Sequence, residues 1–158
     1  MAELNFSRIN FYRKLDLAIH FLVAVIISSV IYLKTGKISY VAAFLAGSIF
    51  IDLDHFIDYF LYFKNKFSLS DFLKCTYLNS GKVYVFFHSW EINILIFTLG
   101  LFFNSTVLLM LSLGLTFHLI VDNFFRKNKF YCFLIYRKIN KFDIETLLPE
   151  LYPYYRNF

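Results

Sequence analysis

Residues 44–60 read FLAGSIFIDLDHFIDYF, and the reading of this stretch decides the fold. Its first half is apolar and carries the small residues Ala46, Gly47 and Ser48. Its second half sets Asp52, Asp54, His55 and Asp58 into the same run. Acids and imidazoles are costly next to hydrocarbon, so such groups in an apolar segment face a bundle interior and serve a function. The other three histidines also lie in apolar runs: His20 in DLAIHFLVA, His88 in VFFHSWEI and His118 in LTFHLIVD.

The composition around that stretch is 59% hydrophobic and 22% aromatic. An ordinary soluble domain is about 45–50% apolar, so the class expected is an integral membrane protein. The 158 residues suit one domain. A net charge of +5 could point to nucleic acid, but no basic motif or glycine-rich phosphate loop accompanies it, and no nucleic-acid partner is expected. The Lys and Arg residues sit between apolar runs, as topology signals do, and anionic lipid headgroups are a sufficient partner for them. Cys75 and Cys132 form neither a CxxC pair nor a disulfide framework.

Four apolar runs follow one another. Residues 17–33 come after a polar, basic start; no small-residue cleavage site follows, so they read as a first membrane helix rather than a signal peptide. Residues 38–56 form the second, and their Ala42, Ala43, Ala46, Gly47 and Ser48 allow close helix approach. Residues 83–103 and 106–125 are the third and fourth, joined by a turn at Asn104-Ser105. The expected fold is all-α: a four-helix integral membrane bundle over 1–125 with a cytosolic or interfacial tail over 126–158. Apart from Lys34 and Lys37, every basic residue falls before the first run, in the 62–82 connector or in the tail. Positive-inside reasoning then places both termini in the cytosol.

With that topology the ionisable groups share a depth. His20 begins the first helix, Asp52, Asp54, His55 and Asp58 end the second, His88 and Glu91 begin the third, and His118 and Asp122 end the fourth. All lie toward the cytosolic end. His118 and Asp122 are i,i+4 neighbours, and His88 with Glu91 and Asp52 with His55 are i,i+3 pairs. On a regular helix Asp52, Asp54, His55 and Asp58 would fan over roughly 160° at 100° per residue, and would converge only where the helix frays. Imidazole nitrogen and carboxylate oxygen are zinc ligands and also suit manganese or iron. The candidate ligands are His20, Asp52, Asp54, His55, His88, His118 and Asp122, enough for one or two ions. The surplus would supply carboxylates that orient histidines or a general base, for which Asp54, His55 and Glu91 are the candidates. The bland alternatives are a helix-end charge for Asp58 and an interfacial role for His20.

On these residues the chain resembles the LexA-regulated, membrane-bound metal-dependent hydrolase family of bacteria. The shared elements, in order over roughly residues 17–125, are His20, Asp52-Leu53-Asp54-His55, His88-Ser89 and His118-Leu119-Ile120-Val121-Asp122. Ile51 stands where many members have proline, and VYVFFHS where they have HRGxTHS. The family is distantly similar to zinc-dependent phospholipase C and the P1-type nucleases. The resemblance implies a phosphoester hydrolase of the bacterial inner membrane, acting on a lipid or other phosphoester at the cytosolic face. It also implies one metal shared by an Asp of the DxDH element, His88, His118 and Asp122, with His20 helping to hold another. Two other readings use the same residues: a metal-ion transporter or sensor, and a scaffold whose polar layer fastens the helices.

Overall fold

The computed structural model describes residues 2–64 and 66–151, without the side chains of residues 2–14 and Phe50. Its first helix, α1 (Ala2–Thr35), buries one narrow stripe: His20, Ala24, Ser28 and Ile31, spaced four, four and three apart. The intervening Leu17, Phe21, Leu22, Val25, Ile26, Val30 and Leu33 are exposed. A helix on a soluble protein turns its apolar side inward and its polar side out. Here two polar groups go in and the large apolar side chains go out, the reverse of that pattern.

The expected all-helical architecture is what the chain adopts. After α1 come α2 (Ile38–Ser48), a 3-10 segment (Phe50–Asp54), α3 (His55–Phe63), α4 (Leu69–Leu73), a second 3-10 segment (Thr76–Ser80), α5 (Trp90–Phe102), α6 (Thr106–Phe125), α7 (Leu134–Ile139) and α8 (Ile144–Leu147). Strand pairing among the described residues is limited to one isolated antiparallel bridge between Lys82 and Asp143. The chain forms two compact units. One comprises Met1–Ile51 with Trp90–Phe125; the other comprises Asp52–Ser89 with Arg126–Phe158. The described part of the tail therefore clusters with the 52–89 segment, while residues 152–158 of it lie outside the described residues.

The four-span expectation needs two corrections. The second helix does not run from 38 to 56: α2 stops at Ser48, and the chain passes through the 3-10 segment before α3. The third does not start at 83, because residues 83–89 are not helical and α5 covers only 13 residues. At 1.5 Å per residue that is about 20 Å, short of a hydrocarbon core of about 30 Å. The cause lies in the acids of the preceding segment. Asp58 accepts the backbone amides of Tyr84 (3.1 Å) and Val85 (3.4 Å), and Asp54 accepts that of Phe87 (2.6 Å). Amides committed to carboxylates are drawn out of a helical ladder. Two helices are long and apolar enough to cross a membrane, Leu15–Thr35 and Thr106–Phe125; a third is added if α2 and Ile51–Phe63 count as one broken span.

In the first unit α2 and α6 meet at two glycines. A Cβ on Gly47 would collide with the Leu111 carbonyl, and one on Gly114 with the Phe44 carbonyl. Only backbones without side chains at both positions can approach so closely. A polar seam lies between α5 and α6: Asn93 donates to Thr116 Oγ1 (2.8 Å) and accepts from Ser112 Oγ (2.7 Å). The second unit is built on aromatic contacts. Phe56 stacks on Phe72 at 4.2 Å, and Tyr59 stacks on Phe63 at 4.7 Å. The buried Tyr59 hydroxyl accepts the Ser68 amide (2.8 Å) and donates to the Lys66 carbonyl (3.2 Å). Its two sequence segments are tied by Val83 N–H to the Phe142 carbonyl (2.9 Å) and Ile144 N–H to the Gly81 carbonyl (3.0 Å).

Two candidate metal centres

The glycine crossing positions the first centre. His118 lies one turn beyond Gly114, and Ser48 directly follows Gly47. Ser48 is the last residue of α2, where carbonyls leave the regular helical ladder. Its carbonyl lies 3.0 Å from His118 Nδ1. A carbonyl can only accept, so Nδ1 carries the proton and Nε2 keeps its lone pair. His20 repeats the arrangement: its Nδ1 is 3.0 Å from the Asp16 carbonyl and 3.3 Å from Asp16 Oδ1, one turn back on α1. The two Nε2 atoms then face the two oxygens of one carboxylate, His20 to Asp122 Oδ1 at 3.6 Å and His118 to Asp122 Oδ2 at 3.8 Å. The imidazole rings are 4.3 Å apart.

That geometry fits a cation. The three ligand atoms lie within 4.8 Å of one another, and all three residues are buried. Atoms bound at about 2.0–2.2 Å around a tetrahedral ion are about 3.3–3.6 Å apart, so little contraction would be needed. Two neutral imidazoles and a carboxylate, each imidazole oriented through its other nitrogen, form a donor set suited to zinc.

The second centre belongs to the other unit and gathers Asp52, His55 and His88. The loop drawn out by Asp54 and Asp58 delivers His88, which is almost completely buried. Its Nδ1 is 3.3 Å from Asp54 Oδ2, and its Nε2 is 3.3 Å from Asp52 Oδ1. Asp54 thus holds both the Phe87 amide and the His88 ring, while its Oδ1 is buried with no hydrogen-bond partner. The His55 ring lies 5.1 Å from that of His88, and its Nδ1 is 3.2 Å from the Tyr77 hydroxyl. Burial pushes the Tyr77 phenol well above its ordinary pKa, with the neighbouring Cys75 adding to the effect, so it meets His55 as a neutral hydroxyl. The Asp52 side chain is 42% exposed, which leaves this centre open where the first is closed.

The structure thus distributes the seven candidate ligands. His20, His118 and Asp122 form one group, and Asp52, His55 and His88 the other. Asp54 stands behind His88 and joins neither. Glu91, expected as a helical neighbour of His88, lies in the first turn of α5 while His88 precedes that helix, and it also joins neither group. Asp58 is not a helix-end surface charge: it is buried and binds the amides of Tyr84 and Val85. Asp16, Tyr77 and the Ser48 carbonyl were not anticipated. Asp16 was within reach of sequence reasoning, because it precedes His20 by four residues on one helix face. Among known proteins, no family model, no curated protein and no solved structure matches the chain.

Proposed function

We propose that this chain is a membrane-bound, metal-dependent hydrolase acting on a phosphoester at the cytosolic membrane face. The observation that carries the reading is the convergence of His20 and His118 Nε2 on Asp122, each ring held through Nδ1 by a main-chain carbonyl. The ordered motifs shared with the metal-dependent hydrolases add the reaction class, and the outward aliphatics of α1 support the membrane setting.

The two centres would have different tasks. His20, His118 and Asp122, closed inside the first unit, would hold an ion that ties α1 to α6. Asp52, His55 and His88 would hold the reactive one, because the exposed Asp52 leaves a side open to water and substrate. A divalent ion held there, zinc or alternatively manganese or iron, would supply Lewis-acid chemistry toward a phosphoryl oxygen and water. Asp54 fixes the His88 ring, and Tyr77 fixes that of His55. Of the expected proton acceptors in this unit, Asp54 is already engaged by the Phe87 amide and the His88 ring, and His55 would be occupied as a ligand.

The test is metal content beside turnover. Wild-type protein purified without chelator should carry two ions per chain, one for each group. His118→Ala should lose one ion, and His88→Ala should lose the other together with chelator-sensitive release from soluble and lipid phosphoesters. Protein free of metal and resistant to reloading would return the polar layer to a fastening role. Metal flux in proteoliposomes without any turnover would make the chain a transporter.

A further inference from the structure

Side-chain contacts fix the register of α5 along α6. Gly100 faces Leu109, and Asn93 meets both Ser112 and Thr116. Continuing that antiparallel register to Trp90, the first residue of α5, reaches the level of Phe117 and His118. On α2 the last residue, Ser48, also meets His118, through its carbonyl. Both helices therefore stop at one level, while α6 runs on to Phe125, about 10 Å further. The 20 residues of α6 are about 30 Å long, a match for a hydrocarbon core of about 30 Å. In a bilayer that α6 just spans, α2 and α5 end inside the cytosolic leaflet, short of its headgroups.

The ligands of the open centre leave the helices at that level. His88 precedes Trp90 by two residues, which holds it within about 7 Å. Asp52 lies in the 3-10 break before α3, and α2 with Ile51–Phe63 has the apolar length of one broken span. Irregular backbone at membrane depth is tolerated only where protein buries it or it lines a hydrated cavity. The residues flanking these ligands in sequence are large, apolar and exposed: Leu53 at 55%, Phe86 at 39% and Phe87 at 51%. We propose that the Asp52–His55–His88 centre lies below the headgroups of the cytosolic leaflet and takes a phospholipid sideways from that leaflet, in place of a soluble phosphoester. The assignment rests on the hydrolase reading above and names its substrate class. The phosphate enters where Asp52 is open, and the acyl chains stay in hydrocarbon along Leu53 and Phe87. A deacylated phosphoester lacks that apolar contact and must cross the headgroup layer alone.

Trp90 is the chain's single tryptophan and reports the depth of this level. In phosphatidylcholine vesicles, its emission in the full-length protein should be quenched strongly by lipids brominated on their acyl chains and weakly by iodide in the buffer. W90F supplies the background. Quenching by iodide with no effect of acyl-chain bromine overturns the proposal. Turnover by metal-loaded protein is then compared between dioleoyl phosphatidic acid, phosphatidylglycerol and phosphatidylcholine and their deacylated counterparts. A dioleoyl lipid should be preferred by about tenfold or more in kcat/KM, the worth of one well-buried apolar contact. Leu53→Ser combined with Phe87→Ser should reduce that preference through KM while metal content stays at the wild-type value. An undiminished preference in the metal-loaded double variant overturns the proposal. Equal kcat/KM on the deacylated compounds overturns it too and leaves the hydrolase reading standing, whereas no turnover of any of them removes both.

Discussion

Asp54 illustrates how much of the site depends on groups that would never touch an ion. One of its oxygens takes both the Phe87 amide and His88 Nδ1, so the carboxylate sets the loop and the ring together. Replacing it with asparagine keeps the shape but removes the charge that favours an Nδ1-protonated imidazole. Asp54→Asn should lower metal affinity at the Asp52–His55–His88 centre by about 10–100-fold, the usual cost of losing such a partner. Competition with a calibrated chelator would measure it, and the His20–His118–Asp122 centre should be unchanged. At this scale the sequence was informative about identity and not about role. Apolar surroundings marked all four histidines and the acids, because polar groups in such runs are conspicuous. The grouping was hidden: that of His118 involves the Ser48 carbonyl, and that of His88 the Phe87 amide held by Asp54, neither of which has a sequence signature.

Among the elements, the crossing of α2 and α6 is the one on which the first centre depends. Gly47→Ala would place a methyl group against the Leu111 carbonyl and the Leu115 amide, both backbone atoms with nowhere to go. The helices must separate, at a cost of about 1–3 kcal/mol for overpacking. The Ser48 carbonyl would then leave His118, so one ion per chain should be lost as well. Gly36→Ala is the control. Gly36 has φ of +63° but open space around it, so alanine there should cost about 1–2 kcal/mol of backbone strain and leave metal content intact. Denaturation midpoints and metal analysis of the two variants would separate the effects. The small residues of α2 were legible as a close-packing signal. The length of the third helix was not. An apolar run from 83 to 103 has the composition of a span, and only the partners Asp54 and Asp58, far back in the chain, take its first residues out of helix.

For the molecule as a whole, the second unit bears on topology. Its 81–83 and 142–144 stretches are hydrogen-bonded to each other at Val83–Phe142 and Gly81–Ile144, so on the proposed membrane reading these two stretches would share one side of the bilayer. The connector and tail basic residues belong to the segments carrying those stretches, which favours the cytosolic side. Cys75 is partly exposed and Cys132 is buried. Cys75 should resist a membrane-impermeant maleimide added to intact cells and react in inside-out vesicles, whereas Cys132 should react only after denaturation. Labelling of Cys75 from outside would reverse the topology. Charge distribution is what the expected orientation rests on, and the labelling tests it; the joining of connector and tail into one unit was not legible, because it rests on backbone pairing between distant residues.

That discontinuous unit also imposes an order in time. A chain made from its N-terminus folds as it emerges, at about 5–20 residues per second. The His20–His118–Asp122 centre is complete once residue 122 is available. The loop bearing His88 is anchored by the Val83–Phe142 and Gly81–Ile144 bonds, and those wait for the last part of the chain. On the proposed reading the closed group would therefore take up its ion first during synthesis, while the open one would stay unformed until the later part of the chain is made.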